Sequence, residues 1–148
     1  MARRIFFSFH YERDVWRASI VRNSGVVEST AAAGFHDASI WEEARLKGDA
    51  AIKKLINDAL VGTTVTAVLI GAVTSTRKYV TYEIEQSIDR GNGIFGILIH
   101  GIKDKSGNID SPGAIPKKLL DVGAKVYTYE YGKIAEWAEQ AYKAAHPA

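Results

Sequence analysis

Two short apolar runs constrain this chain more than any other feature. They are Thr64-Val65-Thr66-Ala67-Val68-Leu69-Ile70 and Ile94-Phe95-Gly96-Ile97-Leu98-Ile99. Both are rich in β-branched or bulky apolar residues, and each gives way to glycine or a polar residue. A strand that is apolar on both sides must be covered on both sides, which is the condition of a parallel sheet packed between helices. Arg4-Ile5-Phe6-Phe7-Ser8-Phe9 reads as a first strand. Lys125-Val126-Tyr127-Thr128-Tyr129 alternates and reads as a last strand at a sheet edge. A short strand is expected near Gly34-Phe35-His36.

Helical spacing fills the intervals. Ile52, Leu55, Ile56, Ala59 and Leu60 form one apolar stripe. A second helix aligns Val80, Ile84 and Ile88, with Thr74 or Ser75 expected as its N-cap and Gly91 as its stop. A terminal helix carries Ile134, Trp137, Ala138, Ala141 and Tyr142 on one face, and an early one is expected over residues 13–21. Strand and helix alternate along the chain, which implies right-handed crossovers. The expected fold class is α/β: a three-layer, doubly wound, mostly parallel sheet of about five strands, flavodoxin-like. The 148 residues suit one domain over 1–148, burying roughly 70% of the surface of the unfolded chain. In such sheets ligands bind beyond the carboxyl ends of the strands, which directs attention to loops 8–14, 37–48, 71–79 and 100–116.

Composition removes several function classes. There is no cysteine, hence no disulfide, no thiolate nucleophile and no cysteine-ligated zinc. The four histidines, His10, His36, His100 and His146, are scattered, so no metal site is expected. Nineteen basic and 17 acidic residues are mixed along the chain, so charge gives no support for nucleic-acid binding. The apolar stretches fall far short of the ~20 residues that span a bilayer, and the start of the chain does not read as a signal peptide. No membrane association and a cytoplasmic location are the expectations.

The first loop, Ser8-Phe9-His10-Tyr11-Glu12-Arg13-Asp14, lacks the G-x-G-x-x-G of a dinucleotide-binding Rossmann turn. No P-loop and no G-x-S-x-G elbow occurs. A flavodoxin would need small residues where these rings stand, and a phospho-acceptor receiver would need acidic residues at the strand ends.

A set of words remains. Ile5-Phe6-Phe7-Ser8-Phe9-His10-Tyr11 is followed by His36-Asp37-Ala38-Ser39-Ile40-Trp41-Glu42-Glu43 and Lys53-Lys54-Leu55-Ile56-Asn57. Then come Thr66-Ala67-Val68-Leu69-Ile70-Gly71, Arg77-Lys78-Tyr79-Val80-Thr81-Tyr82-Glu83-Ile84 and Gly96-Ile97-Leu98-Ile99-His100. In this order and spacing, from about residue 3 to 108, the chain resembles the TIR-like family of the Thoeris anti-phage defence TIR protein (ThsB-like). The resemblance implies an enzyme that cleaves the nicotinamide–ribose bond of NAD+ and makes a cyclic ADP-ribose-type signal. NAD+ would be its substrate, with no further cofactor. A separate effector protein would be reached through the nucleotide signal, and copies of the chain would assemble through TIR surfaces.

In that family an aromatic residue precedes the catalytic glutamate by four positions on the helix after the third strand, and here the pair falls on Tyr79 and Glu83. The resemblance makes Glu83 catalytic and Tyr79 a substrate contact. It sets Ser8, Phe9, His10 and Tyr11 beside the dinucleotide, with His10 and Tyr11 where the family often has arginines. It makes residues 37–48 the loop that closes over NAD+, with Asp37 and Trp41 as substrate-binding residues and Glu42 as a further polar contact.

Physical chemistry is consistent with one carboxylate in that role. Residues four apart on a helix share a face, so Tyr79 and Glu83 can meet one ligand. Glu85 points about 200° around the helix from Glu83. Nicotinamide leaves a pyridinium as a neutral molecule and needs no general acid, whereas most glycosidases need two carboxylates. The alternative reading is a non-catalytic TIR-like module that binds a nucleotide or assembles with partner TIR surfaces.

Overall fold

The computed structural model describes residues 3–23 and 38–147, with the side chains of 38–41 outside that set. Strand β1 (Ile5–Ser8) leads into helix α1 (Tyr11–Arg22). After residue 37 come α2 (Ala38–Lys47), α3 (Asp49–Leu60), β2 (Val65–Ile70), a 3-10 turn (Thr74–Thr76) and α4 (Lys78–Asp89). The chain continues through β3 (Gly93–Leu98), α5 (Lys117–Asp121), β4 (Lys125–Thr128) and α6 (Ile134–Ala145). The four strands of the described residues pair in parallel in the order β1-β2-β3-β4. The strand expected near Gly34-Phe35-His36 lies outside the described residues, so the expected five strands become four here.

Alternation along these strands sorts side chains into two layers. Ile5 and Phe7, then Val65, Ala67 and Leu69, then Phe95 and Ile97 face α1 and α6, where Ala18, Val21, Ile134 and Trp137 cover them. Phe6 faces the other way, against Ile52, Ile56 and Leu60 of α3. Val68 and Ile70 meet Val80 and Ile84 of α4 and Leu119 of α5 on that same side. The sheet is therefore the middle of three layers, and β2, buried along its full length, is its centre. Among the described residues β4 pairs only with β3 and is the half-exposed edge, as its alternation implies. Tyr127 stacks on Trp137 at 4.4 Å between ring centroids, which closes that edge.

Two local expectations are corrected. Neither Thr74 nor Ser75 caps α4: Arg77 is the N-cap residue, and it supplies no side-chain cap. Thr74 is instead spent at the end of β2, where its Oγ1 accepts a hydrogen bond from the Gly71 N–H at 2.7 Å. The other correction concerns residues 37–48, expected as a loop. Residues 38–47 form α2, with Glu42 to Arg45 and Glu43 to Lys47 pairs one turn apart on its exposed face. Gly91 does follow the end of α4, with a left-handed φ of 81°.

Among the described residues no helix is long and apolar enough to cross a membrane, and no group of three or more metal-ligating side chains occurs.

Candidate active site

Helix α4 lies over the carboxyl end of β1 with Val80, Glu83, Ile84 and Ser87 turned inward. Two of these four are polar, which is unusual for a core-facing stripe, and each is satisfied. Ser87 Oγ donates to the Glu83 carbonyl oxygen at 2.7 Å and accepts from Thr66 Oγ1 at 2.7 Å. Asn92 Nδ2 donates to Thr63 Oγ1 and Thr66 Oγ1 at 3.0 and 3.2 Å, extending the polar seam beneath the helix.

Glu83 stands at the other end of this seam. Ser8, the last residue of β1, points to the α4 side because Phe6 does, and its Oγ donates to Glu83 Oε1 at 2.6 Å. The glutamate is only 9% exposed. Burial pushes its carboxyl up to about 8, and the Ser8 hydrogen bond partly opposes that rise. No lysine or arginine is ion-paired with it among the described residues. The usual fate of a helix glutamate is seen instead at Glu85, which pairs with Lys118 at 3.3 Å on the surface.

A cavity of about 300 Å³ opens over Glu83. Its walls come from Phe9 and His10, from Tyr11 and Glu12 in the first turn of α1, which takes up the second half of the expected 8–14 loop, from Arg45 of α2 and Ile52 of α3, and from the start of α4 (Arg77 to Val80). Phe9 and Tyr11 stack with ring centroids 6.1 Å apart. Tyr79 lines the cavity, while its hydroxyl donates to Asp49 Oδ1 at 2.7 Å. That bond, with one from Lys78, holds the Asp49 carboxyl well below the usual range and ties the start of α4 to the start of α3. His10 is half-buried, and burial first, then the Arg77 charge, lowers its pKa.

The structure thus brings Phe9, His10, Tyr11, Tyr79 and Glu83 to one cavity, with Ser8 behind Glu83 as its hydrogen-bond donor. Asp37 lies outside the described residues. Trp41 falls within α2, with its side chain outside the described set. Glu42 is on the surface, paired with Arg45 at 3.2 Å.

Three cations at the cavity, Arg45, Arg77 and Lys78, are given no site role by the sequence. Arg77 sits in the 71–79 loop that the strand ends pick out, two residues before Tyr79, and that loop is the signal that could have found it.

The fourth loop, 100–116, does not line this cavity; it is strapped to α1. Arg13 grips Asp110 with two hydrogen bonds of 2.9 Å and holds that carboxyl down at about 2. The buried Arg17 donates to the carbonyl oxygens of Ile102 at 2.6 Å and Asn108 at 2.9 Å.

Residues 6–104 match the model of the Thoeris protein ThsB, TIR-like domain. The chain is 45% identical over 150 residues to a protein of Bacillus cereus (strain MSX-D12) named "Putative cyclic ADP-D-ribose synthase ThsB1", covering 95% of this chain and 78% of that relative. Matched by that family model over most of its length and 45% identical to that relative, this chain belongs to the ThsB TIR-like family of Thoeris proteins.

Proposed function

We propose that the protein cleaves the nicotinamide–ribose bond of NAD+ at Glu83 and makes a cyclic ADP-ribose-type signal for anti-phage defence. The observation that carries the reading is the position of Glu83: a buried carboxylate without an ion-pair partner among the described residues, at the inner wall of a cavity lined by aromatic rings. The name of the Bacillus cereus relative supports the choice of substrate and product class. The signal acts on a separate effector protein, and the chain assembles with copies of itself.

In this mechanism the bond between ribose C1′ and the pyridinium nitrogen breaks. Its electron pair stays on nitrogen, and nicotinamide leaves neutral. Positive charge moves onto C1′ and the ring oxygen, and the ionised Glu83 faces that charge. At ~4 Å and an effective dielectric near 20, such a contact contributes about 4 kcal/mol. Only the part specific to the transition state accelerates the reaction, so three powers of ten is roughly its ceiling. Water attack at C1′, with loss of a proton, gives ADP-ribose. Attack by a nucleophilic atom of the same ADP-ribosyl unit, again with loss of a proton, gives the cyclic product, and a cavity that excludes water favours it.

Burial gives Glu83 a second property. A carboxyl raised to about 8 is largely protonated at neutral pH. The fixed positive charge of the nicotinamide ring favours its ionisation, so the substrate prepares the group that acts on it. The test is nicotinamide release from NAD+ by the wild type and Glu83→Gln, each produced with and without phage infection. A loss of about a thousandfold in the variant is expected. Turnover by Glu83→Gln at the wild-type rate would remove Glu83 from the mechanism.

A further inference from the structure

The first loop carries no cation at the cavity, yet the cavity is not without positive charge. Of its three cations, two are engaged. Lys78 is held by Asp49 at 2.8 Å, and Arg45 lies between Glu42 at 3.2 Å and Glu12 at 3.4 Å. Arg77 differs: no carboxylate pairs with its guanidinium among the described residues, and its only hydrogen bonds there run through its backbone. It is exposed, at the cavity wall, one residue before α4 begins. His10 faces the same space and feels the Arg77 charge. An anion between the exposed Arg77 guanidinium and the half-buried His10 ring would meet a bidentate donor and an imidazole, with Glu12, engaged by Arg45, as the carboxylate of the first helical turn at the same cavity. The first-turn N–H groups of α4, which have no partner within the helix, add positive potential at the same point.

We propose that Arg77, with His10 beside it, forms a diphosphate subsite at the mouth of the Glu83 cavity, and that this subsite selects dinucleotides over nucleosides. The identity of the ligand as a dinucleotide rests on the reading above; the anion subsite does not. Arg77 is a binding residue. Its planar fork donates to two oxygens of a diphosphate at once, a match that lysine cannot reproduce. With the diphosphate anchored at the α4 start, the ribose beyond it lies toward Glu83, about one and two-thirds turns, or roughly 9 Å, further along the helix.

The subsite is tested by calorimetric titration of the full chain with inorganic pyrophosphate, ADP-ribose and nicotinamide riboside, comparing wild type, Arg77→Gln, Arg77→Lys and Glu83→Gln. Pyrophosphate and ADP-ribose are expected to bind the wild type and to weaken about tenfold or more in Arg77→Gln. Arg77→Lys should recover part of that loss, and Glu83→Gln should leave pyrophosphate binding intact. Nicotinamide riboside, which has no phosphate, should bind wild type and Arg77→Gln alike. Arg77 is exposed and without an ion pair among the described residues, so Arg77→Gln should melt with the wild type, which separates lost binding from lost fold. The subsite is overturned if Arg77→Gln binds pyrophosphate and ADP-ribose as the wild type does, or if the wild type binds neither. If pyrophosphate binds through Arg77 while ADP-ribose and nicotinamide riboside do not bind at all, the subsite stands and the NAD+ reading falls.

Discussion

Ser8 and Glu83, 75 residues apart in sequence, meet at 2.6 Å, and the serine hydroxyl is the donor. The bond joins the end of the first strand to the inner face of α4 in a place that is dry on the strand side, since Ser8 is fully buried. It holds the carboxylate in one orientation and favours its charged form against burial. Ser8→Ala removes that donor without adding bulk. The expected result is a further rise in the Glu83 pKa, read as a shift of the kcat/KM profile to higher pH. The stability cost is about 1–2 kcal/mol, as for a buried hydrogen bond broken on one side. An unmoved pH profile in a folded Ser8→Ala protein would show that the serine does not tune the carboxylate.

Glu83 also makes the fold pH-dependent, and the sign follows from the direction of its shift. Its carboxyl titrates at about 8 in the folded chain and at 4.5 without the protein's influence, so between these values the folded state binds the extra proton. Stability is then lost as pH rises through that window, and the loss is complete above it. Glu83→Gln keeps the shape and removes the titration. Its melting temperature should exceed the wild type by roughly 5–10 °C near pH 8.5, with the gap closing toward pH 5. A constant difference across that range would mean that the carboxyl is not protonated when buried.

Arg17 carries a different load. It is 5% exposed, and besides its two carbonyl acceptors it lies 4.0 Å from Asp14 and 3.7 Å from Asp110. Removing one partner of a buried ion pair leaves the other charge without compensation. Arg17→Met should therefore cost about 3–5 kcal/mol in denaturant unfolding. The amides of 101–110 should gain hydrogen exchange well before those of β2 and β3, because the strap from α1 to that loop has gone. Uniform exchange across the sheet and the loop would refute the strap.

How far the sequence reaches is visible in the same residues. The runs at 64–70 and 94–99 place β2 and β3 to within a residue, because a strand buried on both faces leaves an unmistakable composition. The spacing of Tyr79 and Glu83 puts both at one cavity. Three features escape it for physical reasons. α5 has only five residues, and Leu119 is its one buried side chain, so it has no period to detect. α2 draws on exposed pairs one turn apart more than on an apolar stripe, and its polar words read as loop. Asp14 and Arg17 stand three apart on α1, a spacing that usually marks a solvated pair; nothing local tells that α1 turns them under the 101–110 loop.

Asp14 is fully buried, and neither carboxylate oxygen has a hydrogen-bond partner among the described residues. Burial raises its carboxyl to about 6, with Arg17 opposing. The strand end beside it is Gly71, where a Cβ would stand 2.5 and 2.8 Å from the two carboxylate oxygens. A side chain at 71 would therefore push the buried Asp14 carboxylate aside. Gly71→Ala should destabilise by about 1–3 kcal/mol, the usual cost of forcing extra volume into a packed interior. The cause is separable by a second change: Asp14→Ala vacates the space, so Gly71→Ala in that background should cost well under half as much, a coupling that neighbouring residues show and distant ones do not. Chemical denaturation of the four proteins measures it. If the two costs simply add, the Asp14 carboxylate is not what limits residue 71, and the close packing of α1 against the end of β2 does not fix this corner of the sheet.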